Sequence, residues 1–196
     1  IVLDADMVSR TSGITAQTTV AGYIAPSEKA LRLDIGAHRS NLRFLNPYVE
    51  DIFDRFGGDV TGDICLYGPF KKLDFQGDVT VNAEGTVRAT GVHYRLSDGH
   101  VALRPGAFTF SDFKVSDLRH GQGTAQGQLR HTHLKRLNYD FYVEADNLLC
   151  YDQPESPDMP FYSTAYGTGH ITLGGRPGLF AADISLSPTA PTFFVY

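Results

Sequence analysis

Leu73-Asp74-Phe75-Gln76-Gly77-Asp78-Val79-Thr80-Val81-Asn82-Ala83 alternates without a break. Its odd positions are apolar or small, and its even positions are Asp, Gln, Thr and Asn. Successive side chains of a strand point to opposite faces, so this stretch predicts one dry and one wet face. Leu137-Asn138-Tyr139-Asp140-Phe141-Tyr142-Val143-Glu144-Ala145-Asp146 repeats the pattern. Each is the signature of an antiparallel sheet with one solvated side. At ~3.3 Å per residue, such strands would be about 33 Å long, more than the usual strand.

The same unit recurs along the chain: a short Gly-rich strand, a turn, then a longer amphipathic strand. Gly62-Asp63-Ile64-Cys65-Leu66-Tyr67-Gly68 precedes the strand from Leu73. Gly127-Gln128-Leu129-Arg130-His131 precedes the strand from Leu137, and Gly169-His170-Ile171-Thr172-Leu173-Gly174-Gly175 precedes Phe180 to Leu186. A weaker copy pairs Thr18-Thr19-Val20-Ala21-Gly22 with Leu31-Arg32-Leu33-Asp34-Ile35. Self-similar hairpins predict an elongated, stacked architecture rather than a closed globule. Further strands are expected over 87–96, 100–104 and 108–115. Loops are expected at Ser97-Asp98-Gly99, Arg104-Pro105-Gly106, Arg119 to Gly123 and Pro154 to Pro160.

One segment changes period. From Asn46 to Gly57, apolar residues fall at 48, 49, 52, 53 and 56, which is helical spacing. Asn46 suits a cap, Pro47 the first turn and Gly57-Gly58 the end, predicting a helix of about ten residues.

Composition supports a folded β protein. The 196 residues are 42% hydrophobic, which argues against disorder, and 20 Gly with 10 Pro make turns frequent. The net charge is −5, and Lys71-Lys72 and Lys135-Arg136 are isolated pairs, so no basic track predicts nucleic acid as a partner. No apolar run approaches the ~18 residues that span a bilayer as a helix. Ile1-Val2-Leu3 is followed at once by Asp4 and Asp6, which is not a signal peptide, and the chain is expected to be part of a longer protein. Cys65 and Cys150 are too few and too far apart for a disulfide framework.

From residue 46 onward the chain resembles the TamB family, the periplasmic subunit of the translocation and assembly module, in its Bacteroidota form. The resemblance is carried in order by Phe44-Leu45-Asn46-Pro47-Tyr48, Leu66-Tyr67-Gly68-Pro69-Phe70, the strand from Leu73, and Arg104-Pro105-Gly106. It continues through Gly127 to His131, Ala145-Asp146-Asn147-Leu148-Leu149 and Thr192-Phe193-Phe194-Val195-Tyr196. Residues 1 to 40 match only in style. The resemblance implies an AsmA-like β-taco: a curved antiparallel sheet folded lengthwise around an apolar interior. It also implies anchorage in the inner membrane through a segment outside this chain, and a BamA-type (TamA-like) outer-membrane barrel as partner. The implied roles are phospholipid traffic across the periplasm and outer-membrane protein assembly. The family has no active-site motif to carry over.

The residue pattern leads independently to a curled sheet. A face lined by Ile64, Leu66, Leu73, Phe75, Val79, Val81, Leu129, Leu137, Tyr139, Phe141, Val143, Ile171, Leu173, Ile184 and Leu186 has no helices to cover it beyond one short one. It must fold on itself, as one single β-taco segment with a first repeat over 1–45, the helix over 46–57 and further hairpins over 58–196. A lipid of about thirty methylenes, at ~0.8 kcal/mol each, meets a barrier on the order of 20 kcal/mol in crossing water. A continuous apolar lining lowers that barrier without chemistry, and acyl chains are therefore the expected guest. Glycines 62, 77, 127, 167 and 169 fall on the inward parity, either relieving crowding or leaving room for the guest.

No constellation predicts catalysis, a cofactor or a metal. His131-Thr132-His133 shares one strand face but sits near a turn with no acid at ligand spacing, and reads as a solvated turn. Asp4-Ala5-Asp6 lacks an oxygen cage. Gly121-Gln122-Gly123-Thr124 lacks the Gly-Lys-Ser/Thr ending of a phosphate loop. Asp74/Asp78 and Asp140/Glu144 are expected on the wet face. Phe108, Phe110, Phe113, Phe161, Tyr162 and Tyr166 are expected to fill a core, and Tyr67 and Tyr142 to lie outside.

Overall fold

The computed structural model describes residues 1–11, 14–153 and 162–195. They form one antiparallel meander in which every strand pairs with its sequence neighbours. The strands are β1 (Val2–Thr11), β2 (Ile14–Ala25), β3 (Ala30–Asn41), β4 (Phe53–Pro69), β5 (Asp74–Val87) and β6 (His93–Arg104). Then follow β7 (Ala107–Asp117), β8 (Gln122–Thr132), β9 (Lys135–Gln153), β10 (Tyr162–Arg176) and β11 (Leu179–Val195). The sheet is open: β1 and β11 are its edges. Ten inter-strand steps at ~4.8 Å give a sheet about 48 Å across. The accessible surface is 12415 Å², against roughly 9,200 Å² for a compact monomer of this mass. The excess is that of a curved sheet rather than a globule.

The hairpins expected from the repeats are β2–β3, β4–β5, β8–β9 and β10–β11. Besides the strand expected over 87–96, which residues 88–92 interrupt as the β5–β6 turn, two local expectations change. Ser97-Asp98-Gly99 lies inside β6, where Asp98 takes a left-handed φ of 57° and the β5 register shifts between Val81 and Ala83. It is a bulge, which inserts a residue without ending the strand. The helical segment is the second. It comprises a 3-10 turn, Leu42–Leu45, and one α-turn, α1 (Asn46–Val49), so it begins before Asn46 and stops well before Gly57. The Asn41 side chain caps it by accepting from the Arg43 N–H at 2.8 Å. Beyond it, Phe53 pairs with Val87, Gly57 with Glu84 and Gly58 with Ala83. Residues 53–58 carry apolar groups at helical spacing, yet a ladder with β5 outweighs so short a helix, whose nucleation is costly. The 46–57 boundary therefore cuts into β4. The Pro154–Pro160 loop and Phe161 lie outside the described residues.

The core lies on the concave side. Ala37, Leu42, Val60, Val79, Ala83, Val101 and Phe113 are buried in one cluster, with Phe56, Leu96, Phe108 and Phe110 packed against it. The curl brings the rims of β5–β9 together. At the rim of the β7–β8 turn, the Asp152 N–H donates to the Thr90 carbonyl at 2.8 Å. The Tyr94 hydroxyl donates to the Leu149 carbonyl at 2.7 Å. Asp117 gathers three backbone donors there, the N–H groups of Arg119 (2.6 Å), Gly121 (3.0 Å) and Leu149 (2.7 Å). Over these bonds pack Val92, Leu149 and Tyr166, a second buried cluster. Burial of Tyr94 pushes its hydroxyl well above the usual tyrosine range.

Candidate functional site: the concave apolar face

Antiparallel register lets each row of facing residues be followed from strand to strand. One row runs Ala5, Val20, Ile35, Ile64, Gly77, Leu103, Phe108, Leu129, Tyr139, Gly175 and Phe180. The next runs Met7, Thr18, Ala37, Gly62, Val79, Val101, Phe110, Gly127, Phe141, Leu173 and Ala182. Both cross all eleven strands without a charged side chain. A shorter row joins Leu3, Gly22, Leu33, Leu66 and Phe75. On the other side of the pair, Ala125, Val143, Ile171 and Ile184 line up, as do Ala83, Leu96, Val115, Gly123, Ala145, Gly169 and Leu186.

The predicted lining residues therefore share one face. Ile64, Leu66, Phe75, Val79, Val81, Leu129, Tyr139, Phe141, Val143, Ile171, Leu173, Ile184 and Leu186 all sit on the ladder. Leu73 lies in the turn before β5, and Leu137 follows the left-handed Arg136 at the irregular start of β9, so neither joins a cross-strand pair. Both are half-buried. The sequence reading left out Val101 and Leu103, because the Asp98 bulge interrupts the alternation of β6. It also left out Ala5, Met7 and Phe180, where the period is legible but short.

The face is not uniform. In its centre the rings fill the curl: Phe75 meets Phe108 at 6.1 Å, Phe110 meets Phe141 at 5.3 Å, and Phe110 meets Phe113 at 6.3 Å. Inward glycines make room for these contacts. A Cβ at Gly127 would overlap the Phe141 ring, and one at Gly99 the Phe113 ring. These two glycines relieve crowding under the rings, a role close to the pairing of aromatics over glycine in designed sheets, whereas a Cβ at Gly62, Gly77 or Gly169 would meet backbone oxygen of the neighbouring strand. At the flanks the same face is open. Phe180 is 64% exposed and Ile184 61%, with Met7 also exposed, whereas Phe113 in the centre is 6% exposed.

The convex face carries the charge. Arg104 donates to Asp78 at 2.9 Å, Lys114 to Asp98 at 2.9 Å and Arg130 to Asp140. Tyr142 stacks on His170 there, with centroids 6.0 Å apart. Such exposed pairs contribute little stability each, but they keep one side wet. Cys65 and Cys150 are free thiols, in β4 and β9. Asp6 of the Asp4-Ala5-Asp6 stretch accepts from Gln17 at 3.1 Å. No three His, Cys, Asp or Glu side chains converge on a metal-sized site among the described residues.

The His131-Thr132-His133 segment departs from expectation. It is a solvated turn only in part: Thr132 is exposed and the His133 side chain is 39% exposed, but the His131 side chain has 0% exposure. Asp74, placed on the wet face from its parity, is 14% exposed and turned toward these histidines. His133 Nδ1 lies 2.8 Å from one Asp74 carboxylate oxygen and His131 Nδ1 4.0 Å from the other. The reason is the curl, which carries the start of β5 over the β6–β7 turn to the β8–β9 turn. Compared with known proteins, the chain matches no family model, no curated protein and no solved structure.

Proposed function

We propose that this chain is a non-enzymatic segment of a TamB-type periplasmic bridge whose concave face shelters lipid acyl chains between the inner and outer membranes. The observation that carries the reading is the pair of apolar rows that cross all eleven strands with no charged side chain. A methylene chain needs no hydrogen-bond partner, only a dry continuous wall, and each methylene removed from water is worth ~0.8 kcal/mol. The resemblance of the sequence to the TamB family points the same way, and would bring a TamA-like barrel as partner through parts of the protein beyond these residues. Because the centre is filled by its own rings, the flanks at β1–β2 and β10–β11 are where a guest would lie.

The test is Ile184→Asp in the protein that contains this segment. Ile184 is mostly exposed, so the fold tolerates the change while a charge enters the lining. Phospholipid transfer should fall severalfold with envelope localisation unchanged. Undiminished transfer by the folded variant would refute the reading.

A second reading rests on the β11 edge. Over Leu179–Ser187 the one charged residue is Asp183, and Leu179, Phe180 and Ile184 are exposed. An edge strand with so little charge can template another strand along its outer side. A chaperone-like scaffold for unfolded outer-membrane polypeptides would use this edge, and it would bind peptide rather than lipid.

A further inference from the structure

The rim of the β6–β7 turn holds a group of polar atoms unlike any other among the described residues. Asp74 opens β5, and His131 and His133 end β8 and begin the β8–β9 turn, 59 residues away. Among the described residues, the buried side-chain atoms left without a hydrogen-bond partner are one Asp74 carboxylate oxygen, Oδ1, and His131 Nε2. Leaving such groups unpaired is costly. The turn itself is strained. His133 (φ 49°) and Leu134 (φ 61°) are both in the left-handed region without being glycine, and Arg136 follows at 52°. Residues with a side chain are disfavoured there. What holds the turn shut is visible: Asp74 with His133, the Leu134 N–H donating to His131 Nδ1 at 3.2 Å, and the His131 N–H donating to the Gly106 carbonyl at 2.9 Å.

We propose that Asp74, His131 and His133 form an acid-released clasp that keeps this rim closed at neutral pH and opens it when His131 takes up a proton. Accepting from Leu134 assigns the neutral His131 proton to Nε2. A second proton must therefore go to Nδ1, where it meets the Leu134 N–H donor and breaks that bond. The groups facing His131 are few. β5 contributes Asp74, its own turn contributes His133, and β7 contributes only the Phe108 ring, 4.5 Å away. The added charge would sit in a buried place, favoured by Asp74 but opposed by burial and by the neighbouring His133. Burial already holds His131 below the usual histidine range, more than Asp74 raises it. A buried histidine with a lowered pKa contributes closure above pH ~6.5, lost as pH falls below that value. Release frees a strained turn and uncovers the Phe75–Phe108 ring pair at the end of the curl.

The test is hydrogen exchange by mass spectrometry on the chain at pH 7.5 and pH 5.0, corrected for intrinsic rates. Peptides covering 72–78 and 129–136 should lose protection at least tenfold at the lower pH. Peptides covering 88–94 and 148–153, at the opposite rim, should change less than twofold. His131→Asn keeps an acceptor near Nδ1 but does not titrate, and should abolish the difference. The imidazole of His131 in the unaltered chain, followed by NMR, should titrate in step with the exchange. Equal protection at both pH values, loosening of both rims together, or an unchanged response in His131→Asn would each overturn the proposal.

Discussion

Phe113 and Phe180 are the same residue on the same concave face, and they should behave differently when truncated. Phe113 is 6% exposed and packs with Val79, Val101 and Phe110; Phe180 is 64% exposed near the β11 edge. Removing a fully buried Phe costs about 3–5 kcal/mol, the lost transfer energy plus the cavity. Phe180 keeps only about a third of its surface from water, so Phe180→Ala loses about 1 kcal/mol or less on the same scale. For a chain of this length 1 kcal/mol shifts Tm by roughly 2–4 °C. Phe113→Ala should therefore lower Tm by on the order of 12 °C and Phe180→Ala by about 3 °C or less. Thermal unfolding followed by circular dichroism reads both, and urea unfolding checks that the slope is unchanged. In the same samples, Phe180→Ala should weaken binding of a fluorescent fatty acid. Equal losses of stability in the two variants would refute the division into a packed centre and open flanks.

Asp117 binds three backbone N–H groups at 2.6–3.0 Å, so Asp117→Ala should destabilise the chain by about 2–4 kcal/mol in urea unfolding. Exchange at Arg119, Gly121 and Leu149 should rise with it. Tyr94→Phe removes one buried bond to the Leu149 carbonyl and should cost about 1 kcal/mol. The raised Tyr94 pKa adds a pH signature: its contribution is complete below pH ~10 and lost as pH rises toward the folded value, and Tyr94→Phe should lack this alkaline loss.

The period of the sequence made the sheet legible because strand alternation maps directly onto its two faces. Leu73 to Ala83 and Leu137 to Asp146 could not be helical without scattering their apolar groups. Phe53 and Phe56 misled for the opposite reason: their spacing fits a helix, and only pairing with β5 makes them strand residues. Bulges hid Val101 and Leu103, since one inserted residue at Asp98 reverses parity. The Asp74–His131–His133 cluster was beyond any local pattern. Parity put Asp74 in water, and the curl that buries it joins residues 59 apart. The candidate site was readable as a face but not in its division: how rings close over glycines such as Gly127 depends on curvature, which alternation does not encode.

The proposed function requires greasy chains to lie on that inner face at its flanks. A photoreactive amino acid placed at 180, with a control at 183 on the opposite face, tests this in living cells. Mass spectrometry of what each site captures should find phospholipid at 180 and none at 183. Polypeptide at 180, or equal capture from both positions, would contradict the account.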